Sequence, residues 1–173
     1  MPIPKKIDIH VHTMAYKGLE RFGGGTYASP EEIREIYSQI GVSKGVILPG
    51  VNPDCAFQVQ SDVTGENRNG YPKGPVKPGR VVELMRKYPN LCGDLSARSG
   101  YNAVTRDPDF GYAFIEEFQD RLYYGTDICD PRNITNPMLK LSSWLDEAAE
   151  KGKISETAYR KVSYENALEL LEG

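Results

Sequence analysis

Two histidines sit one residue apart in Lys6-Ile7-Asp8-Ile9-His10-Val11-His12-Thr13, and the chain has no others. Side chains alternate across a strand, so this pattern puts Asp8, His10 and His12 on one face and Ile7, Ile9 and Val11 on the other. Two imidazoles aimed at one point are half of a metal site. Metal-dependent hydrolysis needs a cation that lowers the pKa of water towards ~7, and a base to take the proton. Imidazole and carboxylate are suitable ligands. Asp127 closes the last strand after Gly125-Thr126, where a parallel barrel would bring it beside the first strand. The candidate metal set is therefore His10, His12 and Asp127, with Asp127 doubling as the proton acceptor. Plainer readings stand beside it: the His-x-His is a hydrogen-bonded pair, and Gly-Thr-Asp is a turn and helix cap. Asp8 either orients an imidazole as acceptor or is buried against backbone amides. Asp94 and Arg98 either bind a substrate carboxylate or form a local ion pair.

The elements that must position these residues alternate. A first strand covers Ile7–His12, and a glycine-rich loop containing Phe22-Gly23-Gly24-Gly25 follows. Ser29-Pro30-Glu31-Glu32 starts a helix with a serine cap, proline in the first turn and Glu32 reaching back. Ile33, Ile36, Tyr37 and Ile40 continue it at helical spacing, and Gly41 stops it. Gly45–Leu48 is a second, short strand. Residues 61–79 are rich in glycine and proline and show no period, which is unusual inside a compact domain. A helix over Arg80–Tyr88 carries Val81, Leu84, Met85 and Tyr88 as its apolar stripe. A strand at Leu91–Leu95 precedes a helix capped by Asp107-Pro108, with Phe110, Phe114 and Phe118 on one side. The fourth strand is Leu122–Asp127. Asn136-Pro137 opens a helix with Leu141, Trp144, Leu145 and Ala148 inward, and the tail holds further helices capped by Ser155 and Ser163. Tyr16, Tyr27, Arg98 and Tyr101 fall in loops after strands; Arg98 and Tyr101 are the candidate substrate contacts. Strands alternating with helices imply a parallel sheet with right-handed crossovers.

The chain has 173 residues, 39% hydrophobic and 26% charged, with a net charge of −3. That length suits one domain, and the balance argues against electrostatic nucleic-acid binding. No apolar run approaches the ~18 residues of a membrane span, and the start lacks a secretory apolar stretch. Cys55, Cys92 and Cys129 form no Cys-x-x-Cys pair and read as buried thiols in a reducing cytoplasm.

Several of these segments together resemble the amidohydrolase superfamily, in particular its amidohydrolase-related, aminocarboxymuconate-semialdehyde-decarboxylase-like branch. Ile7-Asp8-Ile9-His10-Val11-His12 resembles the family's first strand. Tyr88-Pro89-Asn90-Leu91 with Gly93-Asp94-Leu95-Ser96 resembles the seventh, and Asp120–Asp127 the eighth with its metal aspartate. Glu165–Leu171 resembles the helical ending. The resemblance implies a (β/α)-type TIM barrel, which takes roughly 250 residues. Here the family's third to sixth strands are missing, together with their histidines. The expected fold is a partial α/β barrel of about four parallel strands, equivalent to family strands 1, 2, 7 and 8, in local order three-four-one-two. It forms a single truncated domain over 1–173: a first βαβ portion (1–52), a junction and long loop (53–79), and a C-terminal βα portion with helical tail (80–173). Free edges at Gly45–Leu48 and Leu91–Leu95 then invite a homodimer, unless residues 61–79 cover the open face.

The implied function is a metal-dependent hydrolase, in which activated water attacks a C–N or C–O bond of a small molecule. Zn is the first choice of metal, with Mn or Fe as alternatives. The same branch also implies non-oxidative decarboxylation. A remnant that binds metal or ligand without catalysis is the non-enzyme alternative. Phosphoesterases of the polymerase-and-histidinol-phosphatase type also begin with His-x-His but need more histidines. Oxygenases with a His-His-carboxylate iron site usually use antiparallel barrels.

Overall fold

The computed structural model describes residues 6–13, 17–18, 20–21, 24–48 and 73–172. The expected junction, most of the long loop, Tyr16 and Cys55 lie outside them. Strand β1 (Lys6–Val11) pairs in parallel with β2 (Val42–Ile47), and β3 (Gly93–Asp94) pairs in parallel with β4 (Leu122–Tyr123). The two pairs join through β1. Ile9 N–H donates to the Tyr124 carbonyl at 3.1 Å, Asp127 N–H to that of His10 at 2.7 Å, and His12 N–H to that of Ile128 at 2.8 Å. The order across the sheet is thus β2-β1-β4-β3, all parallel. Among the described residues the sheet is open, with β2 and β3 at its edges, and it does not close into a barrel. β1 is as long as the sequence suggests and β2 is longer, whereas β3 and β4 are two residues each and Asp127 lies beyond β4. Pairing continues past β3, where Leu95 N–H donates to the Tyr123 carbonyl at 3.0 Å.

Helix α1 (Pro30–Ile40) begins as its sequence dictates. Ser29 Oγ accepts from Glu32 N–H, and the Glu32 carboxylate accepts from Ser29 N–H at 2.9 Å. Gly41, at φ 70°, ends it in the left-handed conformation that glycine adopts without strain. Helix α2 (Arg80–Lys87) differs from expectation. It buries Val82 and Met85, whereas Val81 and Tyr88 are exposed. The Arg121 guanidinium explains this, since it donates to the carbonyls of Met85, Tyr88 and Leu91 at 2.8, 2.9 and 3.3 Å and so sets how the helix faces the core.

Helix α3 (Ala97–Thr105) was not legible in the sequence, and it carries Arg98 and Tyr101, which are therefore helical rather than in a loop. Tyr101 packs on the core and Arg98 is exposed. Helix α4 (Pro108–Phe118) is capped by the Asp107 carboxylate, and Phe110, Phe114 and Phe118 stack along one side. Helix α5 (Lys140–Glu150) follows Asn136-Pro137 and buries Leu141, Leu145 and Ala148. The tail is α6 (Glu156–Arg160), a π turn (Lys161–Glu165) and α7 (Asn166–Glu172). Ser155 caps α6 as expected. Ser163 caps nothing; it is buried in the π turn, whose widened backbone lets the Val162 carbonyl accept from Tyr124 N–H at 3.0 Å. Cys92 is exposed and Cys129 half-buried, so neither is the buried thiol expected. Among the described residues no helix is long and apolar enough to cross a membrane.

Asp8 pins the sheet together. It is fully buried, and its carboxylate accepts from His10 N–H (2.8 Å), Tyr37 Oη (2.8 Å), Thr126 N–H (3.0 Å) and Thr126 Oγ1 (2.5 Å). Burial pushes its pKa up to about 6, with the four donors pulling the other way. Tyr37 reaches it from α1 because the facing strand residue is Gly45; a Cβ there would lie 2.3 Å from the Tyr37 hydroxyl. Asp8→Ala would leave four donors without an acceptor, each worth ~1–3 kcal/mol when buried. We expect a loss of at least about 3 kcal/mol in urea unfolding for Asp8→Ala, against about 1 kcal/mol for Tyr37→Phe.

Candidate metal centre

The two imidazoles converge as their spacing implied. His10 Nε2 and His12 Nε2 lie 3.2 Å apart, and Asp127 Oδ1 lies 3.6 and 3.4 Å from them. They are the one group of three or more His, Cys, Asp or Glu among the described residues whose ligand atoms come close enough to hold one ion. Tetrahedral bonds of ~2.0–2.1 Å place neighbouring ligand atoms ~3.3–3.4 Å apart. The triangle of 3.2, 3.4 and 3.6 Å matches that spacing.

Tautomers sharpen the fit. His10 Nδ1 lies 2.7 Å from Asp94 Oδ2, and His12 Nδ1 lies 3.0 Å from the Leu48 carbonyl oxygen. Carbonyl and carboxylate oxygens only accept, so each neutral ring carries its proton on Nδ1. Both Nε2 atoms then bear lone pairs, aimed at each other and at a carboxylate oxygen. Three lone pairs in that space repel unless a proton or a cation lies between them. The residues fit a divalent metal held by His10, His12 and Asp127. The hydrogen bond to Asp94 raises the pKa of His10, and burial raises that of Asp127 against the pull of the two imidazoles.

The backbone bends to build this arrangement. Asp127 has φ 60°, a left-handed conformation that aspartate tolerates better than most residues. It lets Asp127 N–H reach the His10 carbonyl while its side chain, 36% exposed, turns to the imidazoles. Ile128 beyond it is fully buried.

The acceptor that holds an imidazole is Asp94. Asp8 instead follows its other reading, buried against the backbone amides of His10 and Thr126, and the β1 register is irregular between Asp8 and Val11. Asp94 faces His10 and Ser96. Ser96, unread in the sequence, places its Oγ 3.1 Å from His10 Nδ1. The sequence signal was Asp94-Leu95-Ser96 at the end of a strand. The Leu48 carbonyl offers no such signal, since a backbone acceptor has no residue type. Tyr101 is core packing, and Tyr27 lies under the Arg21 guanidinium, whose Cζ is 5.7 Å from the ring centre. No family model, curated protein or solved structure matches this chain.

The segment leaving Asp127 is clamped by Asp130. Its buried carboxylate accepts from Arg132 Nη2 (2.6 Å), Nε (2.9 Å) and N–H (2.9 Å), and from Arg21 at 3.5 Å. Hydrogen bonds from Arg132 hold its pKa down to about 2. A carboxyl depressed in the folded state adds stability above the unfolded value of ~3.9 and loses it as pH falls through the folded one. Asp130→Asn should therefore cost about 1–2 kcal/mol in urea unfolding at pH 7, and the gap to wild type should narrow as pH is lowered from ~4 towards about 2.

Proposed function

We propose that this chain is a metal-dependent hydrolase of the amidohydrolase type acting on a small molecule. The observation that carries it is the convergence of two Nε2 lone pairs and one carboxylate oxygen within 3.2–3.6 Å at the ends of the two central strands. A bound divalent cation, Zn by first choice with Mn or Fe as alternatives, would supply Lewis acidity and lower the pKa of water towards ~7. His10 and His12 hold their rings by Nδ1–H bonds and keep Nε2 free for it. Asp127 is the partly exposed group at the same point, and burial makes it a better base than a solvated aspartate; it accepts the proton from the attacking water. The open parallel sheet is read as the part of a TIM-type barrel holding family strands 1, 2, 7 and 8. The chain works in the cytoplasm, and the edges at β2 and β3 are where a second copy would add.

Non-oxidative decarboxylation of an unsaturated or aromatic acid is the alternative at the same residues. Purified protein should carry about one Zn, Mn or Fe per chain by elemental analysis, and His10→Ala, His12→Ala and Asp127→Ala should each lose it while remaining folded. Excess metal should raise the unfolding free energy by roughly 2.7 kcal/mol at a hundred times Kd, and a chelator should reverse that gain. A stable wild-type chain that takes up no metal would leave only the non-catalytic remnant. With metal bound, release of CO2 rather than hydrolysis across a panel of small acids, amides and esters would select the decarboxylase.

A further inference from the structure

We infer that Asp94, with Ser96, is the positioning residue for His10, and that it reaches that ring across a gap which only a glycine at position 125 leaves open. This rests on the metal-centre reading above.

In the sheet order β2-β1-β4-β3, Asp94 on β3 is two strands away from His10 on β1, with the β4 segment between. A side chain on that segment would keep them apart. Residue 125 is glycine, and a Cβ added there would lie 2.7 Å from Asp94 Oδ1, 2.9 Å from Ser96 Cβ and 3.2 Å from His10 Cβ. Side chains from β3, from the turn after it and from β1 therefore close over one backbone position. The Asp94–His10 contact of 2.7 Å exists because that position is bare.

Asp94 is itself held before it meets the ring. Its Oδ1 accepts from Ser96 N–H at 2.8 Å, and its Oδ2 accepts from Ser96 Oγ at 2.8 Å and from His10 Nδ1. Immediately after Ser96, Ala97 has φ 62°. A left-handed alanine costs roughly 1–2 kcal/mol. Among the described residues, Ala97 and Asp127 are the two non-glycine residues with positive φ, and both flank this site. Strain of this kind persists where the surroundings over-determine it, commonly at functional sites. A surface ion pair would need neither the bare glycine nor the strained alanine. A carboxylate behind a ligand imidazole fixes the tautomer and ring plane and makes Nε2 a stronger donor, and losing it typically costs ~10–100-fold in metal affinity.

The test is a Co2+ titration of the full chain, followed by the visible absorption of the bound ion, with urea unfolding run alongside. Asp94→Ala and Gly125→Ala should bind Co2+ about 10–100-fold more weakly than wild type, with an altered absorption spectrum. Asp94→Asn, whose amide oxygen can still accept from Nδ1–H, should lose less. Ser96→Ala should also lose less. Asp107→Ala, which removes the α4 cap remote from the ligands, should lower the urea midpoint and leave Co2+ affinity unchanged. If Asp94→Ala fails to fold, Asp94→Asn and Gly125→Ala decide the matter. Wild-type affinity in Asp94→Asn and Gly125→Ala, or an equal loss in Asp107→Ala, would overturn the inference while leaving the metal centre standing. Absence of Co2+ uptake by wild type would overturn both.

Discussion

The pairing of β1 with the backbone just after β4 is the contact on which the rest depends. It joins residues more than a hundred positions apart, so a large loop-closure entropy opposes it. Three backbone bonds form it, from Ile9, His12 and Asp127. They are locked by the Asp8 carboxylate, which takes both the amide and the hydroxyl of Thr126 in the core. A buried carboxylate with unmet hydrogen-bonding capacity would be costly, so Asp8 favours the one arrangement that supplies all its donors. That arrangement also places Asp127 opposite His10 and His12. The pinning residue and the candidate ligands are interleaved, Asp8 with His10 and Thr126 with Asp127, so a register slip that moved the ligands would also orphan the carboxylate.

The polar atoms at the other end of these strands follow the same logic with opposite charge. Lys6 is fully buried, and its ammonium donates to Asp146 on α5 at 2.5 Å while the Tyr159 hydroxyl donates to the same oxygen at 2.6 Å. Burial lowers the Lys6 pKa and Asp146 resists that. β1 is thus anchored at its start to α5 and in its middle to α1 and β4. What remains for its end is to present His10 and His12.

The convergence of His10, His12 and Asp127 was legible because it depends on two things a sequence displays: a strand period of two and an acidic residue at the end of another strand segment. Helix starts were legible for a similar reason. Ser29, Asp107 and Ser155 satisfy amides within three residues of themselves, which is local chemistry. The misses involve partners far along the chain. The inward face of α2 is set by Arg121, thirty or more residues away, and not by the apolar stripe alone. Helix α3, Ala-Arg-Ser-Gly-Tyr-Asn-Ala-Val-Thr, has little apolar period and a central glycine; Gly100 is there because a Cβ would meet the Leu95 carbonyl at 2.2 Å. Of the two readings open for Asp8, burial against backbone amides is the one observed, and the imidazole acceptor is Asp94, a residue far along the chain that strand parity on β1 cannot reveal. Ser163 reads as a cap and is instead buried inside a π turn, where the neighbouring Val162 carbonyl accepts from the distant Tyr124 N–H.

A sheet of four strands is enough for this site because each strand contributes one part of it. β1 brings both imidazoles, and the backbone continuing β4 brings the carboxylate. Each imidazole is then braced from a different outer strand: His12 by the Leu48 carbonyl just beyond β2, and His10 by Asp94 at the end of β3. The brace on the β2 side is a neighbour of β1 and can be backbone. The brace on the β3 side must cross an intervening strand, so it has to be a side chain, and the strand it crosses has to be bare at Gly125. Remove either outer strand and one ring loses the partner that keeps its Nε2 unprotonated and pointed inward. Further strands would enlarge the pocket wall and could add ligands. They would not be needed to orient the three candidate ligand atoms already present, and so an open sheet of four strands suffices for this geometry.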